Sequence, residues 1–487
     1  MIPPRRLLGG IAVGGLARRA LLRSVGLGAA ALALGATPRG ALAASPSPVS
    51  PVVEIGAALD VGALSSDGTA AERAQFFGQI LRQFEQENRG IRLRYYPYMQ
   101  GIGTMEPAIL AGQAPDVFPD CCTYGQYAQA GLLLQLDTFL KANNVDMTIW
   151  SPSQVATFDS GYGTFALSRN VDSYAFAVRL DVLDQMGLPY PSSDWSYLDM
   201  ARLAAAATAP PSGSTPKRFG IGYQNGFTDL LQIVPGFGGH TTTAGRTRQV
   251  LSAAPGLAAA DWMFQHLFWP GVATANTSWF GGSSPNLGNG QLVIQEFQIN
   301  QLLPSFTAWR DSFKWDFFPP PTYTVRPAIP VSNDFWAISA TTRHPEQAWL
   351  LLKWLAAGDA FQRFMMKAFL FSPALNALWE EWQLAVEAAV PGLKGKGLHW
   401  FATVAQKGWG TPQPYFRYAS TQALAIDGQA WSDLMARRVG VTAALTSADQ
   451  QVNALLSAAA REQGARQAVA SLFPSHGADV AAVAEGV

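Results

Sequence analysis

From residue 52 onward the chain reads as strand, helix, strand, helix, and that alternation restricts it to few architectures. "VVEIGAALD" (52–60) reads as a strand that ends in the polar loop "VGALSSDG". "AERAQFFGQILRQFEQEN" then places Phe76, Phe77, Ile80, Leu81 and Phe84 on one helical face. Gly90 follows as a stop, and "IRLRYYPY" alternates as a half-buried strand. A helix at 105–111, the short strand "DVFP" and a helix over "YGQYAQAGLLLQL" ended at Gly131 complete the series. Such alternation predicts an α/β fold with a mainly parallel sheet and helices on both faces. In open sheets of this kind ligands gather at the carboxyl ends of the strands. The 60–68 loop and the loop carrying Cys121 and Cys122 both follow strands, so both are predicted on that edge.

The first 51 residues differ from the rest. Arginine pairs occur at Arg5-Arg6 and Arg18-Arg19, and no acidic residue precedes Glu54. A mild apolar run over 24–36 follows the second pair, and Ala41-Leu42-Ala43 offers small residues for cleavage. Charged, apolar and A-x-A segments in that order predict an export signal over 1–44. "RRALLR" resembles a twin-arginine signal for folded cargo; a Sec signal behind a fortuitously basic start is the alternative. The apolar run falls short of the roughly 20 residues that span a membrane. No cysteine marks a lipoprotein anchor, and "ASPSPVSP" predicts a linker at 45–51. A soluble protein outside the cytoplasm is the expectation.

Lys plus Arg equals Asp plus Glu at 34 each, so no net field favours nucleic acid or an anionic membrane. Charged residues make up 14% and aromatics 11%, enough to build two cores and still line a cleft. Enzyme signatures are missing: no G-x-S-x-G elbow, no phosphate-cradling glycine loop and no H-E-x-x-H. His240, His266, His344, His399 and His476 share no metal-ligand spacing, and two cysteines do not make a zinc site of the usual kind. A non-enzymatic binder without cofactor or metal is predicted.

Several longer segments carry a resemblance. "AGQAPDVFPDCCTYGQYAQAGLLLQLDTFL" resembles the signature of family 1 extracellular solute-binding proteins, the maltose-binding-protein-like group that serves ABC importers. "FDSGYGTFALSRNVDSYAFAVRLDVLDQMGLPYPSSDWSYLDMARLA", "GNGQLVIQEFQINQLL", "NDFWAISATTRHPEQAWLLLKWLAAGDAFQRFM" and "GVTAALTSADQQVNALLSAAA" follow in the family's order. Ala175-Phe176-Ala177 replaces the family's usual Tyr-Asn, and Leu292-Val293 its usual Ala-Met. The resemblance implies a periplasmic-binding-protein-like type II fold, two α/β lobes joined by crossover segments with the ligand held between them. Crossovers are expected near 167–171, 290–295 and 330–335. Lobe one is then 52–167 plus 291–331, lobe two 172–289 plus 334–465, and 470–487 a loose tail. The implied function is an extracytoplasmic, monomeric component of an ABC importer that binds a carbohydrate by hinge closure and delivers it to membrane permease subunits. A polyamine, glycerophosphodiester or peptide in the same fold is the alternative, as is a sugar sensor that addresses a membrane receptor.

A sugar presents apolar ring faces to aromatics and hydroxyls to convergent polar groups, and each buried polar group left unpaired costs about 1–3 kcal/mol. The candidates are therefore polar and aromatic residues at strand ends. Asp60, Ser65, Ser66 and Asp67 fill the first loop, with ordinary turn chemistry as the alternative. Tyr124 stands beside the cysteines and Asn170 in the first crossover. "GIGYQNGFTDLL" matches the family's cleft-facing loop and offers Tyr223, Asn225 and Phe227. Glu296 and Phe297 lie beyond the return strand, and Ser332, Asn333 and Asp334 precede the next one. Trp409, in a Gly/Pro-rich loop, is either a lid or a loop anchor. Cys121 and Cys122 are the only cysteines, so they form a vicinal disulfide with each other, remain thiols, or serve a metal or redox role.

Overall fold

The computed structural model describes residues 52–58, 70–96, 102–120, 124–158, 163–224, 226–275, 277, 283–309, 312–414 and 416–472. The expected signal, the linker and most of the expected tail lie outside these residues. So do Asp60, Ser65, Ser66, Asp67, Cys121, Cys122 and Asn225. At the start of the expected tail, the last helix, Val441–Leu472, still continues.

Four strands open the chain: β1 (Val53–Ala58), β2 (Ile91–Tyr96), β3 (Val117–Asp120) and β4 (Ala166–Asp172). The first helix, Ala70–Glu87, buries Phe77, Ile80, Leu81 and Phe84, as the periodicity predicts. β1 pairs in parallel with β2 and β3. β5 (Tyr174–Arg179), β6 (Phe219–Gly222), β7 (Ala273–Thr274), β8 (Leu292–Gln298) and β9 (Trp315–Phe318) form a second sheet in the order β7-β6-β8-β5-β9. β10 (Ile329–Ile338) returns to the first sheet and runs antiparallel to both β3 and β4, while β11 (Gly410–Pro412) pairs with its start. Each sheet thus contains a parallel triplet, an antiparallel strand and a further strand beyond it, and the first sheet carries β11 as a sixth.

Alternation along β5 assigns the faces of the second sheet. Ala175 and Ala177 join the large first core, whereas Tyr174, Phe176 and Val178 join the second. Successive side chains on a strand point to opposite faces, so one strand serves two cores.

Sheet membership differs from the expected lobe boundaries. β8 and β9 belong to the second sheet, so 291–318 is not part of lobe one, and 290–295 is not a crossover. β8 is buried along its whole length between β5 and β6, an interior position that suits its Leu-Val-Ile run. Helices Pro345–Ala357 and Asp359–Phe369 pack with the first lobe, against its sheet and the helix Ala70–Glu87. The helix His399–Gln406 contacts both the first-lobe helix Pro152–Phe158 and β5, and the helices from Ser420 onward join the second lobe, against Phe227–Ile233 and Ala254–Met263. The chain crosses at Ser173 between β4 and β5, between β9 and β10, and around β11. Ser173 is fully buried and donates its hydroxyl to the Phe401 carbonyl at 2.7 Å.

Candidate ligand-binding site

The carboxyl ends of β1, β3 and β4 in one sheet and of β6 and β8 in the other lie beside the crossovers. On the second lobe this edge opens into a pocket of about 400 Å³. β6 delivers Gln224; the start of the helix Phe227–Ile233 supplies Phe227 and Thr228. Gln413 follows β11, and Leu424, Gly428 and Trp431 come from the helix Ser420–Met435. Gly226 is required at the bend: its φ is 58°, and a Cβ there would stand 3.2 Å from the Trp431 Nε1. Trp431 is braced by Phe264 and Phe268, each with ring centroids 5.0 Å away. Among the described residues no charged side chain lines the pocket. From the first lobe, Gln126 donates to the Thr421 hydroxyl at 3.0 Å and ties the two lobes together.

Beneath the pocket lies a buried acidic layer. Glu296 and Asp229 are both fully buried, and Gln224 donates its Nε2 to the Glu296 backbone carbonyl at 2.9 Å. Burial first, and then the adjacent Asp229, hold the Glu296 carboxyl well above the usual range. Burial likewise raises the hydroxyls of Tyr174, Tyr223 and Tyr323, with Glu296 adding to each. This layer supports the pocket floor and is closed to solvent.

Among the described candidates, only Phe227 lines the pocket. Tyr124 is instead a core residue, its ring 4.3 Å from Phe335 and its hydroxyl donated to the Thr157 carbonyl. Tyr223 and Glu296 sit in the buried layer, and Phe297 packs between Trp309 and Phe317. Asn333 is buried and donates to Thr157 Oγ1 at 2.6 Å, while Ser332 accepts from Gln298 Nε2 at 3.1 Å. Asp334 forms an ion pair with Arg169, whose Nε donates to Asn170 Oδ1 at 3.1 Å. Trp409 is an anchor beside the crossover: its carbonyl accepts from Ile329 N at 3.2 Å and its ring packs on the second core. Gln224, Thr228, Gln413, Leu424 and Trp431 were absent from the sequence candidates. Gln224 and Thr228 lie inside the quoted 220–231 loop, and Gln413 inside the loop of Trp409; Trp431 reads in sequence as an ordinary helical residue. Among the described residues no group of three His, Cys, Asp or Glu could hold a metal, and no helix is long and apolar enough to cross a membrane.

Two α/β lobes joined by crossovers at a pocket-bearing edge define a type II binding-protein fold. The profile of the bacterial extracellular solute-binding protein family matches residues 68–360, more than half of the chain, and the chain belongs to that family. Several solved structures share the fold. The sugar-binding protein MalE of Xanthomonas citri aligns at 16% identity over 85% of this chain and 100% of its own, with a TM-score of 0.64. The ABC substrate-binding protein Lmo0181 of Listeria monocytogenes, solved with cycloalternan, aligns at 16% identity over 83% and 99%, with a TM-score of 0.62. The cyclic alpha-maltosyl-1,6-maltose binding protein of Arthrobacter globiformis gives 16% identity, 83% and 99% coverage and a TM-score of 0.62. None of the curated protein sequences compared with the chain matches it.

Proposed function

We propose that the protein is the extracytoplasmic substrate-binding component of an ABC importer and closes its two lobes on a carbohydrate. The observation that carries this reading is the composition of the pocket: Phe227 and Trp431 offer ring faces, Gln224, Gln413 and Thr228 offer hydrogen bonds, and no described lining residue is charged. Such walls suit a neutral polyol with an apolar face. The described carboxylates that would favour a polyamine are engaged elsewhere, Glu296 in the buried layer and Asp334 with Arg169. The fold neighbours Lmo0181, solved with cycloalternan, and the cyclic alpha-maltosyl-1,6-maltose binding protein point the same way.

A thermal-shift screen tests the reading with mono- and oligosaccharides, spermidine and glycerophosphocholine. A saccharide at 100 times its dissociation constant adds about 2.7 kcal/mol of stability, readily visible as a higher melting temperature. Stabilisation by spermidine or the phosphodiester alone would overturn it. Residues 1–44 serve this role by carrying the chain out of the cytoplasm already folded, since Arg18-Arg19 precedes a mild apolar run. Replacing both arginines by lysine is expected to abolish export, measured as loss of the processed chain outside the cytoplasm; undiminished export would reject the twin-arginine route.

A further inference from the structure

The helix Ser420–Met435 carries two adjacent stripes. Leu424, Gly428 and Trp431 line the pocket. The neighbouring stripe of Ser420, Ala423, Asp427 and Leu434 is buried. Asp427 has no exposed surface. One of its oxygens accepts from Gln249 Nε2 at 2.8 Å, and the other has no hydrogen-bond partner. A carboxylate could hardly be seated worse, whereas a neutral carboxyl fits at small cost.

Among the described residues no positive charge acts on the Asp427 carboxyl. Asp449 faces it from the helix Val441–Leu472, and accepts from Leu251 N, Ser252 N and the Ser252 hydroxyl. Asn453 of the same helix fixes the backbone of Gln249 by accepting at 2.8 Å and donating at 3.0 Å. Phe416, Ala423, Val452 and Leu456 form an apolar cluster between the two helices. Arg417 and Arg246 join backbones in the adjacent loops, and neither acts on the Asp427 carboxyl. Burial pushes the Asp427 carboxyl up to about 7; the Gln249 hydrogen bond lowers it and nearby Asp449 raises it.

We propose that Asp427 is a positioning residue for the pocket: while neutral it lets the helix Ser420–Met435 stay seated, and on ionisation it loosens that helix and the Trp431 wall with it. Ligand affinity then falls as the surroundings pass from acidic to neutral, a consequence that rests on the pocket reading above. The direction follows from linkage. The folded chain keeps a proton that the unfolded chain releases at the ordinary 3.8, so the stabilisation is full below 3.8 and is lost as pH rises through about 7. An extracytoplasmic protein is exposed to the ambient pH, so this range is one it meets.

The test needs no ligand, which separates it from the carbohydrate reading. Amide hydrogen exchange, corrected for intrinsic rates, is followed from about pH 6 to about pH 8.5 on the wild-type protein and on Asp427→Asn, which keeps the shape but cannot ionise. The wild type is expected to lose protection over 420–435 by about tenfold per pH unit up to the midpoint and to level off above it, with Asp427→Asn flat. Acrylamide quenching of Trp431, taken as the difference between wild type and Trp431→Phe, is expected to rise with the same midpoint. Protection that stays constant, or falls equally in Asp427→Asn, would overturn the proposal. Quenching that ignores the helix titration would overturn the link to the pocket wall. If Asp427→Asn does not fold, Gln249→Leu serves instead: without the donor that favours the charged form, the midpoint moves to higher pH. A midpoint unmoved by that change assigns the titration elsewhere and rejects the role of Asp427.

Discussion

Arg169→Ala is expected to lower the unfolding free energy by about 3–5 kcal/mol, the cost of leaving one member of a buried ion pair without the other. The Arg169 side chain is 7% exposed and that of Asp334 17%. A bulge in the β4–β10 pairing, where Asp334 faces Asn170 and Phe335 faces Ser168, leaves Arg169 as the extra residue and turns its guanidinium inward. There it also lies 5.9 Å from the Trp336 ring centroid. Urea unfolding at neutral pH measures the loss. The double variant Arg169→Met with Asp334→Leu is expected to lose much less than Arg169→Ala, because no orphaned carboxylate remains. Equal losses would mean that the guanidinium contributes packing alone.

Removing the aromatic wall is expected to cost the most affinity. Trp431→Ala opens the pocket beside Phe227 and also unpacks Phe264 and Phe268. A truncated aromatic anchor costs about 2 kcal/mol of binding, roughly thirtyfold in dissociation constant, and the melting temperature falls as well. Gln413→Ala separates the two effects, since Gln413 lines the pocket without joining a core. It is expected to weaken binding of the stabilising saccharide, by calorimetry, at an unchanged melting temperature. Affinity unaffected by both substitutions would place the ligand elsewhere in the cleft.

Local pattern explains which parts of this molecule were legible in advance. The helix Ala70–Glu87 and the strands around it were readable because each buries a face at its own period, as Phe77, Ile80, Leu81 and Phe84 show. The pairing of β8 was not, because its partners β5 and β6 lie far away in sequence and nothing inside "LVIQEFQ" names them. Strand ends point to side chains other than most of those that line the pocket. Period-two alternation cannot say whether the last residue of a strand faces cleft or core, so Tyr223 and Glu296 were chosen while Gln224 between them was passed over. Asp334 and Asn170 looked like free polar groups because a bulge that pairs them with Arg169 leaves no mark in sequence. The pocket itself joins Gln224 to Trp431, and such a meeting exists only after the chain has crossed between lobes three times.

The antiparallel strand between β3 and β4 has a consequence for how the protein is made. β10 comes from residues 329–338, long after β4 has left the ribosome. Until then the facing edges of β3 and β4 carry unpaired amides and carbonyls, the kind of edge that recruits strands from other molecules. The first lobe therefore cannot finish folding as its own sequence emerges; it waits for the second to be synthesised. A nascent chain of this topology needs shielding through most of its translation, and an assembly line that released it early would yield aggregates rather than a half-built binder.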